Sequence, residues 1–255
     1  MTNSIKQGRK FSLPEEGSFL FKEIFNHQNS NLEFLSLSAL YLNQGQSPLF
    51  SFPEEELLLF MVEGEGIAQV EKKEYFLEFY DVLYVPVGMP FRLKASPGKK
   101  ALLYAYRATA SKPYPIHHAS WKKISSDPKR IRKLQKKNVF LMFDVAEQAN
   151  KLVAGYTIYE PQTRAWPPHN HTDQEEVYSF IQGKGAMSVY PDDEHQTFVT
   201  SVYTGDNITI PLLNYHPVFS QDEPLTFIWC IAGERYWVGD KNEDFMKGKA
   251  DKITT

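Results

Sequence analysis

Pro167-Pro168-His169-Asn170-His171-Thr172-Asp173-Gln174-Glu175-Glu176-Val177-Tyr178-Ser179-Phe180 decides the architecture, because the chain carries a second version of it stripped of most polar side chains. The earlier version reads Pro48-Leu49-Phe50-Ser51-Phe52 and then Glu56-Leu57-Leu58-Leu59-Phe60, 119 residues upstream throughout. The match continues from Gly64-Glu65-Gly66 to Gly183-Lys184-Gly185 at the same offset. It resumes from Asp81-Val82-Leu83-Tyr84-Val85-Pro86 to Asp206-Asn207-Ile208-Thr209-Ile210-Pro211 at an offset of 125. The extra residues suit a longer hairpin around Pro191–His195. Self-similarity on this scale is a fold signature, and units of about 100 residues suit two barrels rather than a solenoid.

Local patterns agree. Leu35-Ser36-Leu37-Ser38-Ala39, Tyr75-Phe76-Leu77-Glu78-Phe79, Ala154–Tyr159 and Leu225–Ile231 are short and rich in β-formers. Gly, Pro, Asn and Asp punctuate them. The expected fold is all-β: two antiparallel jelly-roll barrels from a duplicated unit. The first barrel is placed at residues 11–110, a basic linker at 111–138 and the second barrel at 139–245. Within the linker, Ser126-Asp127-Pro128 predicts a helix over Lys129–Lys136, with a cap followed by Pro in the first turn. The first ten residues and Lys247–Thr255 are polar and expected to be loosely held.

Side chains alternate across a strand, so His169 and His171 project from one face. Glu176 reaches the same place from the next strand after Thr172-Asp173-Gln174, and His216 from a distant strand that barrel closure brings alongside. Three neutral imidazoles and one carboxylate leave a divalent ion with positive charge and open coordination positions, the arrangement of a catalytic metal. Zinc is the first expectation, although the spacing does not separate it from manganese, iron or nickel. The first copy has Phe50, Phe52, Leu57 and Phe91 at these positions. None can ligate such an ion, so that copy reads as structural.

Further site residues follow from position. Glu175 should face away from Glu176, unless a bulge makes it the ligand instead. Tyr178 and Gln182 share the inward face of Glu176. Arg164, just before the ligand strand, and Arg235 each offer the bidentate fork that suits a carboxylate. Trp166 and Trp237 could wall the site. His27, His117, His118 and His195 stand outside the ligand pattern and read as exposed.

These residues resemble the cupin superfamily. Its first motif, His-x-His-x-x-x-x-Glu-x-x-x-x-x-x-Gly, is met by His169, His171, Glu176 and Gly183, and its second by Gly205, Pro211 and His216. Leu213 stands where that motif usually has Gly, and Ser220 where it often has Asn. Residues 140–240 more narrowly resemble the 5-deoxy-glucuronate isomerases and the related 5-keto-4-deoxyuronate isomerases, through Trp166–His171, Asn214–Val218 and Ala232–Trp237. The resemblance implies a bicupin whose metal sits in the C-terminal barrel. It implies aldose–ketose isomerisation of a sugar acid, with the metal as Lewis acid and a base moving the proton between carbons. The sequence does not identify that base. Tyr178 and Gln182 would bind hydroxyls, Arg164 or Arg235 the carboxylate, and sheet edges would support a homo-oligomer. The same ligand set also suits an Fe(II) oxygenase, and a non-catalytic sugar-binding module stays open.

Composition narrows the classes. At 255 residues with 42% hydrophobics, the chain can bury a sizeable core. A net charge of -3 gives no general pull toward nucleic acid, and the basic linker lacks an aromatic platform or known motif. One cysteine, Cys230, excludes an internal disulfide framework. With no apolar leader and no run of 18 apolar residues, the expectation is a cytoplasmic protein without membrane contact.

Overall fold

Strands buried on both faces read as continuous apolar runs. β3 (Leu35–Leu42) and β9 (Ala101–Thr109) come close to this, interrupted by the buried Ser36, Ser38 and Arg107, because each lies between a barrel interior and the other copy. The computed structural model describes residues 6–13, 21–165, 168–192 and 196–235. In the first copy, β3 and β9 join β2 (Phe21–Phe25), β4 (Glu55–Gly64), β7 (Val82–Val85) and β10 (His117–Ala119) in an antiparallel sheet of order β10-β7-β4-β9-β3-β2. A small sheet of β5 (Gly66–Val70), β6 (Lys73–Leu77) and β8 (Phe91–Ala95) closes the other side. The second copy repeats this plan. Its large sheet runs β1 (Lys10–Ser12), β17 (Asp206–Ile210), β14 (Gln174–Gln182), β19 (Leu225–Gly233), β13 (Leu152–Tyr159), β12 (Lys137–Phe143), β11 (Ile131–Leu134). Its small sheet holds β15 (Lys184–Val189), β16 (Phe198–Tyr203) and β18 (Val218–Ser220).

Alternation along each central strand feeds two cores. In β4, Leu57, Leu59 and Met61 face the first barrel's interior, while Leu58 and Phe60 face the second copy. In β14, Tyr178 and Phe180 face the second barrel's interior and Val177 the first copy. Between the large sheets, Tyr84 stacks on Phe143 at 4.9 Å and Phe60 meets Tyr156 edge-on at 5.4 Å. Such pairs add about 0.5–1.5 kcal/mol each to area burial.

Two devices tie the copies reciprocally. Each copy's leading strand joins the other barrel: β1 pairs with β17, and β10 with β7. Each copy also sends one buried glutamate across. Glu56 accepts from the amides of Asn150, Lys151 and Leu152 at 2.8, 2.6 and 3.1 Å, just where β13 begins. Glu175 accepts from the amides of Glu33, Phe34 and Leu35 at 2.7, 2.6 and 2.5 Å, just where β3 begins. Burial pushes the Glu175 carboxyl up to about 7, against the lowering pull of those three amides. Glu175 therefore faces away from Glu176, and no bulge at that point reverses it.

The predicted helix over Lys129–Lys136 is absent. Asp127 does cap the amide of Lys129 at 3.0 Å, but only for a 3-10 turn over Pro128–Arg130. Ile131–Leu134 then pairs with β12, where Ile131 lies opposite Phe140 and packs against the core between the copies. The one α-helix among the described residues is α1 (Trp121–Ile124). His117 and His118 are half-buried on β10 rather than exposed, with His118 Nε2 3.3 Å from Asp81. Residues 6–12 are held by pairing, including Arg9 N to Thr209 Oγ1 at 2.9 Å. Trp166, Trp237, His195 and the Lys247–Thr255 tail lie outside the described residues. Gly64 and Gly183 occupy equivalent turns at φ 74° and 87°, where a Cβ would fall 1.8 and 2.1 Å from the carbonyl oxygens of Lys100 and Pro224.

Candidate metal centre

The second barrel's interior has an apolar core, and at one end of it four polar groups converge. His169 and His171 sit two residues apart just before β14, and Glu176 is the third residue of that strand. His216 follows a turn at Leu213, a non-glycine residue at φ 63° whose amide donates to the His171 carbonyl at 2.7 Å. The turn thus pins the fourth residue to the second. Ring centroids lie 4.4 Å apart for His169–His216, 5.1 Å for His169–His171 and 5.3 Å for His171–His216. One nitrogen of each falls within 4.8 Å of the others. Glu176 Oε2 stands 3.1 Å from His216 Nε2 and 3.4 Å from His171 Nε2.

The chemistry of these contacts asks for a cation. His216 Nδ1 lies 2.9 Å from the Asn214 carbonyl, so Nδ1 carries the proton and Nε2 turns its lone pair inward. That lone pair faces a carboxylate oxygen. His171 Nε2, His216 Nε2 and Glu176 Oε2 are all buried without a hydrogen bond of proper geometry. Such groups cost about 1–3 kcal/mol each when unpaired. A divalent ion would satisfy all three together. Burial, followed by His216, His171, Lys137 and Arg132, holds His169 well below the usual histidine range, so it offers a neutral imidazole. Burial acts to raise Glu176, the neighbouring His171 and His216 act to lower it, and the net direction is down.

Of the other described residues expected at the site, the fold brings one close. The Tyr178 ring lies 5.6 Å from that of His216, and burial, then the Glu176 charge, pushes its phenol well up. Gln182 is exposed at the far end of β14, past a register shift between Phe180 and Gln182. Six residues of strand place it roughly 20 Å from Glu176. Arg164 is exposed; Ala165 takes the inward position, so alternation turns Arg164 outward. Arg235 points into the seam between the copies. Its Nε and Nη2 donate to the carbonyls of Leu152 and Asp144 at 3.0 and 2.7 Å. Neither arginine joins the histidines.

Arg132, Lys137 and Tyr159 escaped the sequence reading. The first two fell inside the expected linker, where Ile131-Arg132-Lys133-Leu134 sets its apolar residues three apart, a spacing that suits a helix as well as a strand and so gave no strand signal behind the cap at Asp127. In the first copy, the positions equivalent to His169, His171 and His216 hold Phe50 and Phe52 against Phe91, with centroids 5.5 and 6.4 Å away. Leu57 is buried beside them, and the Arg107 guanidinium stands 4.8 Å over the Phe52 ring.

Comparison with known proteins agrees with this architecture. The chain is 19% identical to an IolB-like protein of Salmonella typhimurium LT2, with a TM-score of 0.75 over 89% of this chain and 94% of that one. It is 16% identical to Bacillus subtilis oxalate decarboxylase, a protein with Mn(II) centres, with a TM-score of 0.69 over 92% and 79%. At such identities the likeness concerns the fold: a bicupin of two antiparallel jelly rolls. The histidine triad is a group that could hold a divalent metal ion. Among curated relatives, the 4-deoxy-L-threo-5-hexosulose-uronate ketol-isomerase of Bacillus pumilus is 25% identical over 200 residues, 75% of this chain and 71% of its own length. That of Bacillus licheniformis is 27% identical over 184 residues, 69% and 66% of the respective chains. The family model described as KduI/IolB matches residues 14–247, and the chain belongs to that family.

Proposed function

We propose that this protein is a metal-dependent aldose–ketose isomerase of deoxy-uronates, with His169, His171, Glu176 and His216 as ligands of one ion. The observation that carries the proposal is the buried set of unpartnered nitrogen and carboxylate atoms, in a family whose curated relatives are uronate ketol-isomerases. Zinc fits the three-histidine, one-glutamate set, with manganese, iron and nickel as loadings to compare. When bound, the ion supplies a Lewis acid for the carbonyl and neighbouring hydroxyl of the sugar. The protein's own part is positioning. The Asn214 carbonyl fixes the His216 ring, the Leu213–His171 hydrogen bond sets the loop, and Tyr178 offers a protonated hydroxyl to the substrate. Glu176 is committed to the cation and Tyr178 is held protonated by burial, so neither is assigned as the base that moves the proton.

The sequence favours 5-deoxy-glucuronate, and the curated relatives act on 4-deoxy-L-threo-5-hexosulose-uronate. Both belong in the deciding assay. Metal-loaded protein is incubated with these acids and with neutral deoxy-sugars, following the carbonyl carbon by NMR. Turnover confined to the acids and lost on chelation supports the proposal. Absence of interconversion refutes it, and oxygen consumption moves the protein to the oxygenases. A reducing, cytoplasmic setting suits the buried free thiol of Cys230. No helix among the described residues is long and apolar enough to cross a membrane. Self-association through a sheet edge completes the reading and is checked by sedimentation.

A further inference from the structure

We propose that Arg132 and Lys137 form the anion-binding subsite of the metal pocket and receive the sugar acid's carboxylate, an inference that rests on the isomerase reading above. Strand register places both side chains. Arg132 pairs with Val139 across β11 and β12, and Lys137 pairs with Tyr159 across β12 and β13. Val139 and Tyr159 pack in the second barrel's interior core, whereas Ile131 and Phe140 belong to the core between the copies. Cross-strand partners share a face and neighbours alternate. Arg132 and Lys137 therefore stand on the interior face, the face that carries Glu176 and Tyr178.

An aromatic wall connects them to the histidines. Lys137 Nζ lies 5.8 Å over the Tyr159 ring. Tyr159 meets Phe227 at 5.5 Å, Phe227 meets Tyr178 at 4.6 Å, and Tyr178 meets His216 at 5.6 Å. Both cations stand near enough to His169 for their charges to act on its ring. Among the described residues, this wall also carries Glu176, the three histidines and the two tyrosines, whose phenols burial keeps protonated. Both cations are half-buried, so their field acts through apolar walls and is less screened than at an open surface. The arrangement suits a molecule with a carbonyl at one end and a carboxylate at the other. The carbonyl end sits at the histidines, and the carboxylate lies further along the wall against a guanidinium fork and an ammonium. Arg164 and Arg235 cannot do this, one facing outward and the other locked on backbone carbonyls.

The test uses Lys137→Met, which keeps the stem over Tyr159, and Arg132→Gln, each checked for wild-type metal content and melting. Calorimetry titrates glucuronate, with glucose as neutral control, into metal-loaded protein, and KM is measured for the deoxy-uronates. Each variant should weaken glucuronate binding and raise KM about ten-fold, equivalent to about 1.4 kcal/mol. Glucose binding should not change, kcat should stay within about two-fold, and Lys137→Arg should restore most of the loss. If wild type binds glucuronate, the variants lose it and no deoxy-uronate turns over, the subsite stands and the isomerase reading falls. If turnover occurs with unchanged KM in both variants, the subsite is wrong and the isomerase reading survives.

Discussion

Replacing Glu175 by Ala probes how the two copies depend on one another. The carboxylate accepts three amides of the other copy at 2.5–2.7 Å. Its removal leaves those donors at a buried seam, with only small Ala behind. Each unpaired buried amide costs about 1–3 kcal/mol, and water entering the gap recovers part of this, so the expected loss is about 3–5 kcal/mol. For a chain of this size each kcal/mol lowers the melting point by about 2–4 °C, giving a fall of roughly 10 °C. Glu56→Ala should behave alike, because it strands the amides of Asn150, Lys151 and Leu152 and the Tyr84 hydroxyl, whose bond to Glu56 is 2.8 Å. Scanning calorimetry of the metal-free proteins isolates this from metal binding. A loss below about 1 kcal/mol in both variants would mean that the apolar core and the exchanged strands β1 and β10 hold the copies together without these clamps.

Two further outcomes are expected. Arg235→Ala should destabilise the fold by about 2–3 kcal/mol, since two carbonyls lose charge-assisted donors at 3.0 and 2.7 Å; KM for a uronate should not move, and a rise would return Arg235 to the site. Leu213→Gly should raise the thermal midpoint slightly: leaving φ 63° relieves about 1–2 kcal/mol, and glycine's greater unfolded-state freedom takes back about 0.5–1. With 42% of Leu213 exposed, little burial is lost, so a lower midpoint would show that this side chain matters to the loop.

The duplication was legible because Glu56 aligns with Glu175 and Gly64 with Gly183 even where the ligand positions diverge. The same alignment contained the clamp. The acid present in both copies crosses the seam, and the acid present only in the second faces the histidines. Exchange of β1 and β10 left no local trace, since a three-residue strand carries no record of its partner, which lies nearly two hundred residues away for β1 and 33–37 for β10. The Asp127-Pro128 start is common to a helix and a single 3-10 turn, and only sheet pairing of Ile131–Leu134 decides between them. Alternation placed Tyr178 correctly two residues from Glu176. Over six residues it named a shared face at Gln182 without registering how far the strand had travelled. Arg235 could not be placed, because Gly233 at φ 150° ends the strand and nothing local fixes the direction that follows.

The central claim is that His169, His171, Glu176 and His216 bind one divalent ion. Elemental analysis with X-ray absorption at the bound metal, on wild type and on His171→Ala, tests it most directly. Wild type should hold one ion per chain with nitrogen and oxygen ligands at about 2.0–2.2 Å. The variant should lose nearly all of it while keeping its β-sheet circular dichroism, because the first barrel closes around Phe50, Phe52 and Phe91 with no ligand residues at these positions. Full metal content in His171→Ala, or sulfur in the coordination shell, would contradict the assignment.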